Sequence, residues 1–207
     1  MKLNLPNKIT IARIVLAILM IIMLLIPWYD LGFKFPEYLI NGEILSLKYI
    51  IAGIIFLIAS LTDFVDGYLA RSRNMVTDFG KVADAIADKI LVNGLLIILA
   101  YDRIIPILIP VIIITRDIIV DSCKMISGNK GKVVAASWLG KAKTMCMMIG
   151  LTLTLFGNIP FAYINLSIDQ ILLLIATLLS VVSGCQYYYN TKDFLFPKVD
   201  TQNGKKQ

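Results

Sequence analysis

The sequence predicts an all-α integral membrane protein with six transmembrane helices, and three observations predict it. Of the 207 residues, 58% are hydrophobic and the mean hydropathy is +0.79, where a soluble domain is about 45–50% apolar. The excess lies in runs of roughly 20 residues, the length that crosses a bilayer as a helix. The basic residues punctuate those runs unevenly. With six crossings, all of the 20 Lys+Arg except Lys34, Lys48 and Arg103 fall on one side, which marks that side as cytoplasmic. Both termini are therefore expected in the cytoplasm, and the cell membrane (inner or plasma) is the expected location of this multi-pass chain.

The elements follow in order. Met1 to Arg13 is short and polar, and the first span covers about 9–27, starting from the cytosolic side. A cleaved signal peptide is the competing reading, but no small-residue cleavage site is present and Trp28-Tyr29 suits an interfacial anchor. Asp30 to Ser46 reads as a loop containing Gly32, Pro36, Asn41 and Gly42. The second span is about 47–71, with Lys48 able to snorkel at its outer end. Ser72 to Phe79 is a polar turn before the third span, about 80–100. Tyr101-Asp102-Arg103 turns the chain into the fourth, about 106–126. A glycine- and lysine-containing loop leads to the fifth, about 139–156, which Gly157-Asn158-Ile159-Pro160 breaks. The sixth, about 167–190, ends in a Tyr187-Tyr188-Tyr189 belt, and 191–207 is a polar tail. No internal repeat appears, so 1–207 is expected to be one membrane-embedded domain.

Composition excludes several chemistries. The chain has no histidine, so Ser-His-Asp triads, Cys-His pairs, histidine metal ligands and phosphohistidine intermediates are ruled out. A general base must be a carboxylate, a lysine, a tyrosine or a metal-bound hydroxide. Cys123, Cys146 and Cys185 are odd in number and widely spaced, and read as reduced packing residues. The net charge of +6 is spread between apolar runs and forms no separate basic face. An anionic lipid surface is the expected partner, not nucleic acid.

The chemistry concentrates between Asp63 and Asp88. Asp63 and Asp66 are three apart, and Asp84 and Asp88 four apart, so on helices each pair shares a face. Two helices meeting there would bring four carboxylates around one point at the membrane surface. Such a cluster repels itself unless cations neutralise it, and hard divalent cations suit all-oxygen ligands. Cations bridged by carboxylates form a frame for phosphoryl transfer. Gly67 and Gly80 let a ligand or helix approach, and Arg71 suits a phosphate oxygen. Taken singly, each aspartate reads equally well as a solvated loop residue.

The residues Asp63, Asp66, Gly67, Ala70 and Arg71, then Gly80, Asp84 and Asp88 after an eight-residue gap, fill a known pattern. It is Asp-x-x-Asp-Gly-x-x-Ala-Arg followed by Gly-x-x-x-Asp-x-x-x-Asp, the signature of the CDP-alcohol phosphotransferase family, which this chain resembles. The resemblance implies a six-helix membrane fold, usually homodimeric, with its active site at the cytosolic edge. It implies displacement of CMP from a CDP-linked lipid by an alcohol. It further implies that Asp63, Asp66 and Asp84, with Asp88 contributing, hold two divalent ions, Mg²⁺ or Mn²⁺, and that Asp88 takes the acceptor's proton. Asp63, Gly67 and Arg71 would meet the CDP part, together with Asn7, Thr10 and Arg13. Those three lie in Pro6-Asn7-Lys8-Ile9-Thr10-Ile11-Ala12-Arg13, which resembles the family's Pro-Asn-x-Ile-Thr-x-x-Arg. Read alone, that segment is an N-terminal polar patch.

Acceptor choice is carried by Arg116, Lys141 and Lys143. By themselves they read as positive-inside anchors, but three cations converging near the aspartates would suit a phosphomonoester. Arg116-Asp117, then Gly140-Lys141-Ala142-Lys143-Thr144, and the ending Ser183-Gly184-Cys185-Gln186-Tyr187 with Lys192-Asp193 resemble the phosphatidylglycerophosphate synthases within the family. That likeness runs from Leu5 to Phe196 and implies CDP-diacylglycerol as donor and sn-glycerol 3-phosphate as acceptor. Asp117 stands where glutamate is usual, Ala85 where proline is common and Lys124 where arginine is frequent; these departures bear on the acceptor pocket. The rival readings are a family member using inositol phosphate, serine or a second phosphatidylglycerol, a divalent-cation transporter, and an inactive scaffold. A transporter calls for acidic groups deep in the bilayer and openings to both sides, whereas the outer halves of these spans carry almost no polar groups. No structural role asks for four aspartates at this place.

Overall fold

The computed structural model describes residues 4–40, 43–72, 77–129, 138–159, 161–164 and 166–195. The tail beyond 195, residues 73–76 and the 130–137 part of the glycine- and lysine-containing loop lie outside the described residues. Six long helices carry the architecture. Helix α1, Leu5–Leu25, has Pro6 in its first turn, where a fixed φ and a missing N–H cost nothing. It stops short of Pro27. Its buried residues are Pro6, Asn7, Thr10, Arg13, Ala17, Met20 and Leu24, spaced three and four apart as one face of a helix requires. The first turns of that face are polar and the rest is apolar.

The segment expected to be an irregular loop contains a β-hairpin. Strand β1, Glu37–Ile40, pairs antiparallel with β2, Glu43–Ser46, with Ile40 opposite Glu43. Asn41-Gly42 lies between them, the dipeptide favoured in two-residue hairpin turns, although 41–42 are outside the described residues. Trp28, Phe33 and Phe35 stack edge-on with centroids 5.0–6.0 Å apart and lead the chain into the hairpin.

Helix α2, Leu47–Ser72, follows β2 directly. Helix α3, Asp78–Tyr101, begins at Thr77, whose hydroxyl accepts from the Gly80 amide at 3.0 Å as an N-cap does. Tyr49 at the far end donates to Asp102 at 2.6 Å, tying the start of α2 to the end of α3. Helix α4 is Leu108–Asn129 and α5 is Trp138–Leu155. Gly157 (φ +65°) and Asn158 (φ +55°) turn the chain out of α5, and the Asn158 side chain donates to the Leu166 carbonyl at 2.7 Å. A short 3₁₀ turn, Phe161–Ile164, precedes α6, Ile168–Leu195.

Helix α1 packs against both α2 and α3, α5 against α6, α4 against α6, and α2 touches α5. The core between them is apolar, with Met20, Phe56, Leu95, Leu99, Ile113, Leu151 and Leu173 all buried. Small residues let the helices close. A Cβ on Gly53 would sit 2.9 Å from the Phe156 ring, and one on Gly150 would sit 3.1 Å from Leu173. The outer surface is apolar as well: Val15, Ile18, Leu19 and Ile22 of α1 and Leu174, Leu178 and Val182 of α6 are exposed. Among the described residues, three helical stretches, Leu5–Leu25, Leu47–Gly67 and Ile168–Lys192, are long and apolar enough to cross a bilayer, with mean hydropathies of 2.5, 1.9 and 2.0. Apolar residues both inside and outside are what a helix bundle in lipid requires. This is a mostly helical membrane protein.

The close approach at Gly53 generates a stability test. Gly53→Val overpacks the α2–α5 contact and is expected to destabilise by about 1–3 kcal/mol, read as a lower Tm in detergent. Gly128→Ala is the control, because nothing lies within 4 Å of a Cβ there; its Tm should hold or rise.

Candidate active site where α1, α2 and α3 meet

The polar end of the α1 face meets the aspartates. Arg13 is 1% exposed and donates from Nη1 to Asp63 and from Nη2 to Asp66. Nη1 also reaches Asp84 Oδ1 at 2.8 Å. Thr10 donates to Asp66 Oδ2 (3.2 Å) or to the Pro6 carbonyl (3.1 Å). Asn7 Nδ2 donates to the Thr77 hydroxyl at 3.1 Å. A Cβ on Gly80 would lie 2.7 Å from Asn7 Oδ1, so glycine there is the condition for α1 to reach the start of α3. Asn7, Thr10 and Arg13 thus form one ladder that fastens α1 to α2 and α3.

One oxygen from each of Asp63, Asp66 and Asp84 lies within 4.8 Å of the others. The side chains of Asp63 and Asp84 are 42% and 50% exposed, while that of Asp66 is only 5% exposed. The cluster is therefore anchored at Asp66 and open at its other edge. A single guanidinium offsets one of the three carboxylate charges and leaves the cluster net negative. The donor set is all oxygen, which fits a hard ion such as Mg²⁺ or Mn²⁺.

Of the four aspartates expected around one point, the structure brings three together. Asp88 is half-buried and does not belong to that group among the described residues. It lies one helical turn on from Asp84, within electrostatic reach of Asp84 and Arg13 and also of Asp117 and Lys143. Gly67 is half-buried beside Asp66. Arg71 lies in the last turns of α2, but its side chain is outside the described residues.

Asp117 and Lys143 belong to a second charged cluster. Lys143, 4% exposed, donates to Asp117 Oδ1 at 2.7 Å. Arg116 donates from Nη1 to the same carboxylate at 2.9 Å, from Nε to the Ser180 carbonyl at 3.2 Å and from Nη2 to Ser183 Oγ at 2.8 Å. A Cβ on Gly184 would meet the Arg116 stem at 2.9 Å, so Ser183-Gly184 forms a fitted seat on α6 for an arginine of α4. Lys141 is exposed. Lys124, where an arginine was expected, pairs with Asp121 at 3.5 Å and lies over the Tyr187 ring.

The sequence pattern did not single out Thr77, Ser180 or Ser183 as site residues. Thr77 was legible as a threonine three residues before a glycine at a helix start. Ser183 stood in the ending that resembles the phosphatidylglycerophosphate synthases, but nothing in the sequence paired it or Ser180 with Arg116, 67 and 64 positions away.

The Lys143–Asp117–Arg116 cluster is testable by a double-mutant cycle. Breaking a buried pair from one side leaves an uncompensated charge. Lys143→Met and Asp117→Asn are each expected to lower Tm, and the double variant to recover part of the loss. A coupling of about 1 kcal/mol or more is expected, within the usual range for contacting residues; additive losses would dissolve the cluster.

Sequence comparison agrees with this geometry. The sequence profile of the CDP-alcohol phosphatidyltransferase family matches residues 3–182. The chain is 39% identical over 185 residues to a CDP-diacylglycerol–glycerol-3-phosphate 3-phosphatidyltransferase of Bacillus subtilis (strain 168), covering 89% of this chain and 93% of that protein. It is 34% identical over 192 residues to the protein of the same name from Rickettsia felis, covering 92% and 97%. A third relative of that name, from Wigglesworthia glossinidia brevipalpis, is 32% identical over 193 residues, covering 91% and 95%. With the profile matched over most of its length and relatives this similar end to end, the chain belongs to the CDP-alcohol phosphatidyltransferase family.

Proposed function

We propose that this protein transfers the phosphatidyl group of CDP-diacylglycerol to sn-glycerol 3-phosphate, forming phosphatidylglycerol phosphate and CMP. The observation that carries the reading is the pairing of an all-oxygen carboxylate cluster, Asp63, Asp66 and Asp84, with a cationic cluster in which Arg116 and Lys143 share Asp117. The first suits a diphosphate held through cations and the second an acceptor phosphate. The names of the similar proteins support the same reaction.

In this reading Asp63, Asp66 and Asp84, with Asp88 contributing, hold two divalent ions, Mg²⁺ or Mn²⁺. Ions held by these carboxylates would supply charge neutralisation for the diphosphate and for departing CMP. Asn7, Thr10, Arg13, Asp63, Gly67 and Arg71 position the CDP part. Arg116 and Lys143, with the exposed Lys141, receive the acceptor's phosphate. The acceptor hydroxyl oxygen forms a bond to the phosphatidyl phosphorus as the bond from that phosphorus to the CMP oxygen breaks. The hydroxyl proton goes to the Asp88 carboxylate. All six helices are taken as spans of one catalytic domain, 1–207, with both termini and the acidic face on the cytoplasmic side of the cell membrane. The distribution of basic residues supports that orientation. The homodimer that the family resemblance implies would show as a doubled mass by sedimentation in detergent.

Purified protein given CDP-diacylglycerol and a panel of water-soluble alcohols should form phosphatidylglycerol phosphate, identified by mass, and only with glycerol 3-phosphate and a divalent ion present. A lipid product from serine or inositol phosphate instead would reassign the acceptor. Asp88→Asn should lower kcat by about 10²–10⁴-fold, the contribution typical of a positioned base; near-normal turnover would remove Asp88 from that role. Arg116→Ala should raise the KM for glycerol 3-phosphate about 10- to 100-fold, the worth of a hydrogen bond to a charged group. An unchanged KM would place the acceptor elsewhere.

A further inference from the structure

The chain's own cation sits on the oxygens proposed for a metal. Arg13 projects from α1 into the triangle of Asp63, Asp66 and Asp84 and donates to all three. It is the most deeply buried charged group of the cluster, at 1% exposure. Its Nη atoms are engaged, but its Nε is buried with no acceptor among the described residues. The guanidinium is therefore held by charge more than by a complete hydrogen-bond set, and buried donors left without acceptors weaken the position they occupy.

We propose that Arg13 is a built-in competitor of the divalent cation: the guanidinium and the ion bid for the same carboxylate oxygens, and binding of the ion displaces Arg13 from them. The proposal rests on the reading of Asp63, Asp66 and Asp84 as metal ligands. Its physical basis is short-range repulsion. A carboxylate oxygen that accepts from Nη and also ligates an ion would hold two positive centres within a few ångströms, with least screening at Asp66, whose side chain is only 5% exposed. Arg13 thus does two things. It keeps three carboxylates from α2 and α3 gathered, and it sets the metal concentration at which they are claimed. An arginine suits this double task, since its planar fork reaches several acceptors at once where an ammonium offers one point of charge.

Binding of Mn²⁺ alone, without lipid or nucleotide, separates this from the reading beneath it. The full chain in detergent is titrated with Mn²⁺, and the free ion is followed by its electron paramagnetic resonance signal. Arg13→Gln removes the competitor and is expected to bind Mn²⁺ at least about tenfold more tightly than the wild type. Arg13→Lys keeps the charge but loses the fork, and is expected to gain less, at least about threefold. Should the glutamine variant not fold, the lysine variant decides alone. Affinity unchanged or weakened in these variants, with binding lost in Asp66→Asn, overturns the competition and leaves the metal centre standing. Asp66→Asn binding Mn²⁺ like the wild type would remove the metal centre, and the competition with it.

Discussion

Three carboxylates gathered around one buried guanidinium form the constraint on which the rest of this structure depends. Arg13 could not be buried without them, and they could not be gathered without a cation. The pairing joins α1 to residues 50 to 71 positions away, so it fixes how three helices meet. Around it the local choices agree. Thr10 supports Asp66, Asn7 is held by Thr77, and Gly80 leaves room for Asn7. Such a polar network, even with Arg13 Nε left without an acceptor among the described residues, specifies which helices meet more sharply than apolar packing alone.

The apolar half of the same helices supplies the frame. Met20 and Leu24 continue the α1 face that begins with Asn7, and they are buried with Leu91, Leu95 and Leu99 of α3 in one core. Helix α3 thus links the rigid centre to the charged end, and it presents Asp84 to the first cluster. Asp88, one turn on, is within reach of the second. There Arg116 is fastened through every nitrogen of its guanidinium to α4 and α6, while Lys143 arrives from α5. All six long helices contribute to this charged region.

Much of this was legible in the sequence because the relevant signals are local. Apolar runs of membrane-spanning length, bounded by Pro27, Gly157 and charged turns, marked the helices to within a few residues. The i, i+3 spacing of Asp63 and Asp66 was enough to put both in one cluster. The i, i+4 spacing of Asp84 and Asp88 was read the same way, yet only Asp84 joins the group of three among the described residues. The hairpin escaped notice although Asn41-Gly42 signalled it, because residues 37–46 are too short and mixed to stand out beside the long apolar runs. The pairing of Arg13 with aspartates two helices away was beyond the reach of spacing. Periodicity placed Arg13 on the same face as Met20, but it does not say what that face meets. The seat of Arg116 on Ser183 and Gly184 was hidden for the same reason.

Asp63, Asp66 and Asp84 gather at the junction of three helices in a geometry that a divalent cation could occupy. Anomalous scattering from crystals grown with Mn²⁺ and CDP-diacylglycerol tests it most directly. The account predicts an anomalous peak bounded by these three carboxylates, in contact with the diphosphate. A peak at any other site, or a nucleotide bound away from the aspartates with none between them, would contradict it.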